Sequence, residues 1–240
     1  MPYIERALER KFLRMSSFFK AVLVTGARQV GKTTMLKHLA EGQNRTYVTM
    51  DNTMARTLAQ ADKMMKNIRD TLAGRIGILE LYSLSKNEVD GEVFANKLDF
   101  SLPCLLERQK MAKKNDIIDV FEHIWRGGMP DALRADAEQR QEYFNSYIET
   151  YLMRDVAEEG GITDSVRFQK FLNACAALTA EQINYKTLAE AADISQPTAK
   201  EWLRILEGLG IVYLLPPFAN NELKRLTKTP KLYFCDTGLC

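Results

Sequence analysis

Apolar residues at Ile4, Leu8, Phe12, Met15 and Phe19 recur four and three positions apart, which lays them on one stripe of an amphipathic opening helix. The pattern then shortens. Ala21 to Thr25 is an apolar run rich in β-branched side chains and stopped by Gly26, as expected of a buried parallel strand. Helical spacing returns from Thr33 to Ala40. Thr46 to Met50, ending at Asp51, reads as a second strand, a Met- and Ala-rich helical stretch continues to about Leu72, and Ile76 to Tyr82 reads as a third strand.

From Ser85 the period is mainly helical, and Ser85 with Glu88 has the spacing of a capping box. Asp116 to Trp125 reads as a helix stopped by Gly127, Gly128 and Pro130. Asp136 to Glu158 reads as one long helix, with Tyr143, Phe144, Tyr147, Ile148, Tyr151 and Leu152 on its apolar side. Gly160 and Gly161 break it, and Ser165 to Ala180 gives another helix through Phe168, Phe171, Leu172 and Cys175. Tyr185 to Gly210 then has the anatomy of a helix-turn-helix. Leu188, Ala189 and Ala192 pack its first helix, Ile194 plugs the turn, Ser195 caps the second helix, Pro197 suits its first turn, and Trp202, Leu203 and Leu206 form its buried side. Ile211 to Leu215 and Lys231 to Phe234 supply two strands of a wing.

The pattern predicts three segments: a P-loop nucleotide-binding domain over 1–84, a helical connector over 85–180 and a winged helix over 181–240. The fold class is α/β, P-loop NTPase-like with an abbreviated core sheet, followed by helices and a winged helix-turn-helix. At 240 residues, 46% hydrophobic and 27% charged, the chain falls in the folded globular class and outside the disordered and membrane classes. Lys plus Arg number 33 against 31 Asp plus Glu, so a net charge of +2 argues for no particular partner, and any basic footprint must be local. Cys104, Cys175, Cys235 and Cys240 form no Cys-x-x-Cys pair, and His38 and His123 are too few for a histidine metal site. The start of the chain is too charged for a signal peptide and no apolar run has membrane-spanning length, so a reducing cytoplasm is the expected location.

Gly26, Ala27, Arg28, Gln29, Val30, Gly31, Lys32 and Thr33 fit the pattern Gly-x-x-x-x-Gly-Lys-Thr between a strand and a helix. Glycines allow the turn that aims successive N–H groups inward, and the helix start adds its positive end, so the loop forms a cradle for a di- or triphosphate. Lys32 is expected on the β and γ phosphates, Thr33 on Mg²⁺, and Thr34 in the first helical turn.

Hydrolysis needs an oriented water and a held metal. No apolar run after Lys32 ends in paired acids. Asp51 is the better candidate metal acid and is equally readable as a strand-end cap, while Glu80 is expected to face solvent on an edge strand.

The helix-turn-helix leaves two uses open. In a DNA reader Gln196, Thr198, Lys200 and Arg204 would face the groove, and Lys224, Arg225, Lys228 and Lys231 would meet phosphates. The other use is packing between domains.

In this order, Tyr3 to Arg6, Gly26 to Thr34, Tyr47 to Asp51, Thr71 to Arg75 followed by Ile76 to Leu84, Gly127 to Pro130, Tyr147 to Leu152 with Arg154 and Asp155, and Leu232 to Leu239 resemble one family. It is the bacterial and archaeal AAA-type ATP-binding proteins that carry a winged helix and then a nuclease-like domain of poorly defined function. The resemblance implies ATP rather than GTP, with Mg²⁺, and implies that Arg75 could approach the γ-phosphate. The chain departs from that family in lacking the acidic strand and sensor strand between Asp51 and Leu72. It also stops at Cys240, short of the nuclease-like domain. Weak or absent ATP hydrolysis is therefore expected. The alternatives are a winged-helix DNA-binding or protein-interaction module with a relic P-loop, and a fragment of a larger gene.

Overall fold

A computed structural model describes residues 2–44, 75–91, 99–111, 116–218 and 228–240. The predicted strand at Thr46 to Met50, the helical stretch to Leu72, and Asp51, Lys224 and Arg225 lie outside the described residues.

The opening helix α1 spans Leu8–Phe18 and buries Phe12. It begins later than the apolar stripe predicts, because Glu9 bends back to accept from the Arg6 amide at 2.7 Å and starts the helix there. β1 (Ala21–Thr25) and β2 (Ile76–Glu80) form a parallel pair in the register Ala21↔Ile76 through Thr25↔Glu80. Met15 of α1 and Phe19, just past its end, occupy the space over Gly77, which covers one face of that pair. α2 (Lys32–Ala40) follows β1 and buries Met35 completely.

The predicted capping box is present: the Ser85 hydroxyl accepts from the Glu88 amide and the Glu88 carboxylate accepts from the Ser85 amide, opening the short helix α3 (Lys86–Val89). The helices α4 (Leu102–Met111) and α5 (Ile117–Arg126) follow. The long helix expected over Asp136 to Glu158 is interrupted. It runs as α6 (Ala137–Ser146), a π-helical stretch over Tyr147–Leu152, and α7 (Met153–Gly160). The wider turn still brings Phe144, Tyr147 and Leu152 inward, which a plain 3.6-residue period read as one face.

α8 (Ser165–Ala177) buries Phe168, Phe171, Leu172 and Cys175, and the two phenyl rings pack edge-on against Trp202 at 5.4 and 5.5 Å between centroids. α9 (Tyr185–Ala192) and α10 (Gln196–Gly208) are joined by a tight turn in which Asp193 takes a left-handed conformation. The Ser195 hydroxyl caps α10 by accepting from the Thr198 amide at 3.2 Å. β3 (Val212–Leu215) and β4 (Lys231–Phe234) pair antiparallel.

One apolar core runs through these elements, from Ala27, Val30 and Met35 through Tyr147, Phe168 and Leu206 to Leu232 and Leu239. Hydrophobic burial on that scale joins the P-loop region to the C-terminal helices in a single packed interior. Gly128 marks one of the tightest seams. A β-carbon there would run into the Leu84 carbonyl, and the Leu84 amide donates to the Gly128 carbonyl at 2.8 Å. Among the described residues no helix is long and apolar enough to cross a membrane.

Candidate functional site

Between the end of β1 and the start of α2 the chain turns through positive φ at Gly26 (131°), Gln29 (61°) and Gly31 (94°). Gly26 must be glycine, since a β-carbon would collide with the Leu81 carbonyl of the neighbouring chain segment. Gln29 holds a left-handed conformation that non-glycine residues adopt at a cost. Turns of this kind form concave nests of N–H groups, and Gly31 is the N-cap of α2, whose first turn adds partial positive charge.

The Lys32 ammonium folds over the loop and donates to the carbonyls of Gly26 at 2.8 Å and Ala27 at 2.6 Å. Burial, reinforced by the Arg28 charge, lowers its pKa below the ordinary 10.5. A cation held in this way gains from an anion that compensates its lost hydration. Thr33 and Thr34 are exposed at the start of α2.

These residues line a cleft of about 530 Å³, within the usual range for small-molecule sites. Its far wall is Pro130, Asp131 and Arg134, and its floor is the N-terminal segment with Tyr3 and Arg6. The Tyr3 ring stacks on His38 of α2 at 3.9 Å, and its hydroxyl donates to Glu9 at 2.7 Å. Arg6 is buried and donates to the Val30 carbonyl at 2.8 Å and to the Tyr82 carbonyl at 2.6 Å, so it fixes the loop against the end of the second strand. Among the described residues Asp131 is the carboxylate that lines the cleft, and it faces Arg134 at 3.7 Å.

The outer side of the loop meets the C-terminal half. The Tyr143 hydroxyl donates to the Gln29 side chain at 2.5 Å, and that of Tyr147 to the Arg28 carbonyl at 3.4 Å. The Arg28 guanidinium pairs with Asp155 of α7. A β-carbon at Gly210 would sit 3.0 Å from the Ala27 nitrogen, so the end of α10 packs directly on the loop.

The residues predicted to cradle phosphate, Gly26 through Thr34, are thus gathered in one turn. Arg75 is not brought to it. The parallel register sets Arg75 beside the beginning of β1, a strand length of roughly 16 Å from the loop at the other end, so the register lends no support to the expectation that it approaches a γ-phosphate. Asp51 lies outside the described residues. Glu80 is exposed at the end of β2, as expected, opposite Thr25 in the register.

The predicted groove-facing residues lie on α10 but are largely spoken for. Thr198 shares its hydroxyl with Ser195 at 2.7 Å, and Arg204, exposed like Gln196 and Lys200, pairs with Glu201 of its own helix at 2.7 and 3.1 Å. Asp164 and Asp193 stand beside the start of α10, where Arg167 bridges them at 3.6 and 3.0 Å, so no surplus of positive charge faces an approaching phosphate backbone there. Lys228, ahead of β4, and Lys231, its first residue, are exposed. The roles of Tyr3, Arg6 and Asp155 in building the site were not legible from local spacing, since each acts through a contact distant in sequence: Tyr3 with His38, Arg6 with Val30 and Tyr82, and Asp155 with Arg28.

A family model described as an AAA domain matches residues 18–68, the segment that contains the loop. A second, described as a domain of unknown function, DUF8612, matches residues 117–240, just over half of the chain. The chain is 26% identical over 246 aligned positions to the uncharacterized proteins Mb2031c of Mycobacterium bovis and Rv2008c of Mycobacterium tuberculosis. The alignment covers 91% of this chain and 54% of each relative, so the chain spans about half the length of the curated relatives it matches. No solved structure matches it. The match over residues 117–240 places this chain in the DUF8612 family, with an AAA-type segment that carries the loop ahead of that domain.

Proposed function

We propose that the protein binds Mg-ATP in the cleft beside Lys32 and turns it over slowly or not at all. The observation that carries this reading is the loop itself: positive φ at Gly26, Gln29 and Gly31, with a desolvated Lys32 ammonium folded over it, opening on a cleft of nucleotide size. Its donors suit a triphosphate, with backbone N–H groups and Lys32 toward the β and γ phosphates and the exposed Thr33 hydroxyl toward the metal. Mg²⁺, when bound, would screen the phosphate charge. Tyr3, Ile4, Leu84 and Pro130 give the other end of the cleft the apolar surface that a purine stacks on. ATP rather than GTP follows from the family resemblance.

Slow turnover is supported by the acids. In the sequence no apolar run after Lys32 ends in paired acids, and the carboxylate of Asp131, which lines the cleft, faces Arg134. Water positioning and metal support each contribute a few kcal/mol to such a transition state, so a rate roughly a hundredfold or more below that of an intact relative is expected. Phosphate release measured at saturating Mg-ATP tests this. Turnover near one per second that vanishes in Lys32→Ala would refute it, and loss of that turnover in Asp51→Asn would identify Asp51 as the metal acid.

The C-terminal segment, read as a winged helix, serves to pack against the nucleotide domain. Two contacts support this, Gly210 against Ala27 and the Ser83 hydroxyl donating to the Cys235 carbonyl at 3.3 Å, while the Gly128 amide, donating to Asp236 at 3.0 Å, ties the same segment to the helical connector.

A further inference from the structure

The phosphate loop holds an unfavourable backbone conformation at Gln29, with φ at 61°, and such a conformation persists only where its surroundings over-determine it. The surroundings come from one continuous stretch of chain. Along α6, the π-helical stretch and α7, the side chains of Tyr143, Tyr147 and Asp155 all reach residues 28 and 29. A plain α-helix would rotate these side chains differently around its axis; the wider π turn at Tyr147–Leu152 sets the register between the tyrosines and Asp155.

Asp155 is the least replaceable of the three. It is buried, one carboxylate oxygen pairs with Arg28, and the other is buried without a hydrogen-bond partner. An acid in that state is costly, and here the cost is offset only through the guanidinium it meets. Tyr147 lies beside it, with its hydroxyl raised to about 12 by burial first and by Asp155 next, so it stays protonated as a donor to the Arg28 carbonyl. Arg28 turns away from the cleft: it lines the cavity of about 300 Å³ on the other side of the loop, with Tyr151 and Asp155. Its side chain therefore anchors the loop from outside.

The geometry points to Asp155 as a positioning residue for the nucleotide site: by anchoring Arg28 it holds the phosphate loop in its anion-accepting shape, and through it nucleotide binding is coupled to the helical segment 143–160. The inference rests on the nucleotide-binding reading above. Preorganisation of this kind raises affinity by removing the ordering cost from the binding step. By reciprocity, bound nucleotide must hold α7 in place as firmly as α7 holds the loop.

A double-mutant cycle on the full chain, read as Mg-ATP affinity by calorimetry, tests it. Arg28→Ala and Asp155→Ala are each expected to weaken binding about tenfold, and the double variant no further than either single change. Separate losses that multiply toward a hundredfold, or single variants that bind as wild type does, overturn the positioning role and leave the nucleotide reading standing. A wild-type protein that does not bind overturns both. Asp155→Asn keeps the shape and removes the charge, and is expected to lose affinity at an unchanged melting temperature; full retention of affinity contradicts the proposal. In the unsubstituted protein, saturating Mg-ATP is expected to slow amide exchange in Met153–Gly160, and identical exchange with and without nucleotide also overturns it.

Discussion

The Arg6 guanidinium and the Glu88 carboxylate meet at 3.2 Å, with 5% and 8% of their side chains exposed, and join the N-terminal segment to the helix that follows the second strand. Arg6 also donates to the Val30 carbonyl, so this buried pair lies directly behind the phosphate loop. Removing Arg6 leaves the Glu88 carboxylate buried with only the Ser85 and Ala7 donors and takes the guanidinium from the Val30 and Tyr82 carbonyls, and breaking a buried pair costs about 3 to 5 kcal/mol in comparable cases. Arg6→Met is therefore expected to lower stability by that amount in denaturant titrations. A loss under about 1 kcal/mol would mean that Glu88 is satisfied without Arg6.

Glu88 also sets a pH dependence. Burial pushes its carboxyl up, but the Ser85 and Ala7 amides and the Arg6 charge outweigh this and hold it below the ordinary 4.5. Its stabilisation is present above that ordinary value and is lost as pH falls through the lowered one. Unfolding free energy should fall more steeply on acidification below about pH 4.5 in wild type than in Glu88→Gln. Equal slopes would contradict this.

Gly128 faces a carbonyl rather than a flexible side chain, so the neighbour cannot yield. Gly128→Ala is expected to destabilise by about 1 to 3 kcal/mol, as overpacking of a tight seam does. An unchanged melting temperature would show that the seam can open.

The phosphate loop was legible because its chemistry is local: spacing, glycines and the flanking strand and helix all fall between Ala21 and Ala40. The burial of Leu188, Trp202, Leu203 and Leu206 was legible from helical period for the same reason. Arg28 and Asp155 are 127 residues apart, and no pattern in either neighbourhood announces their pairing. For Arg75 resemblance supplied a role, but only strand register shows that it stands ahead of β2, at the end away from the loop. The π-helical stretch escaped too, since one added residue per turn leaves the apolar positions close to a plain helical stripe.

The balance of charge on α10 makes a prediction about nucleic acid. Arg204 pairs with Glu201, and Asp164 and Asp193, bridged by Arg167, flank the helix start. Mobility shift with duplex DNA at low salt is expected to show no binding that depends on Lys200 and Arg204. Steeply salt-dependent binding, abolished by Lys200→Ala with Arg204→Ala, would instead favour a groove reader.

The central claim is that the loop around Lys32 holds a nucleotide, and calorimetric titration of Mg-ATP into wild type and Lys32→Ala tests it most directly. Charge-assisted contacts from this ammonium are expected to make the wild type bind at least about tenfold more tightly than the variant, about 1.4 kcal/mol, with both proteins equally folded. Equal affinity in the two proteins, or no heat of binding in the wild type, would contradict it.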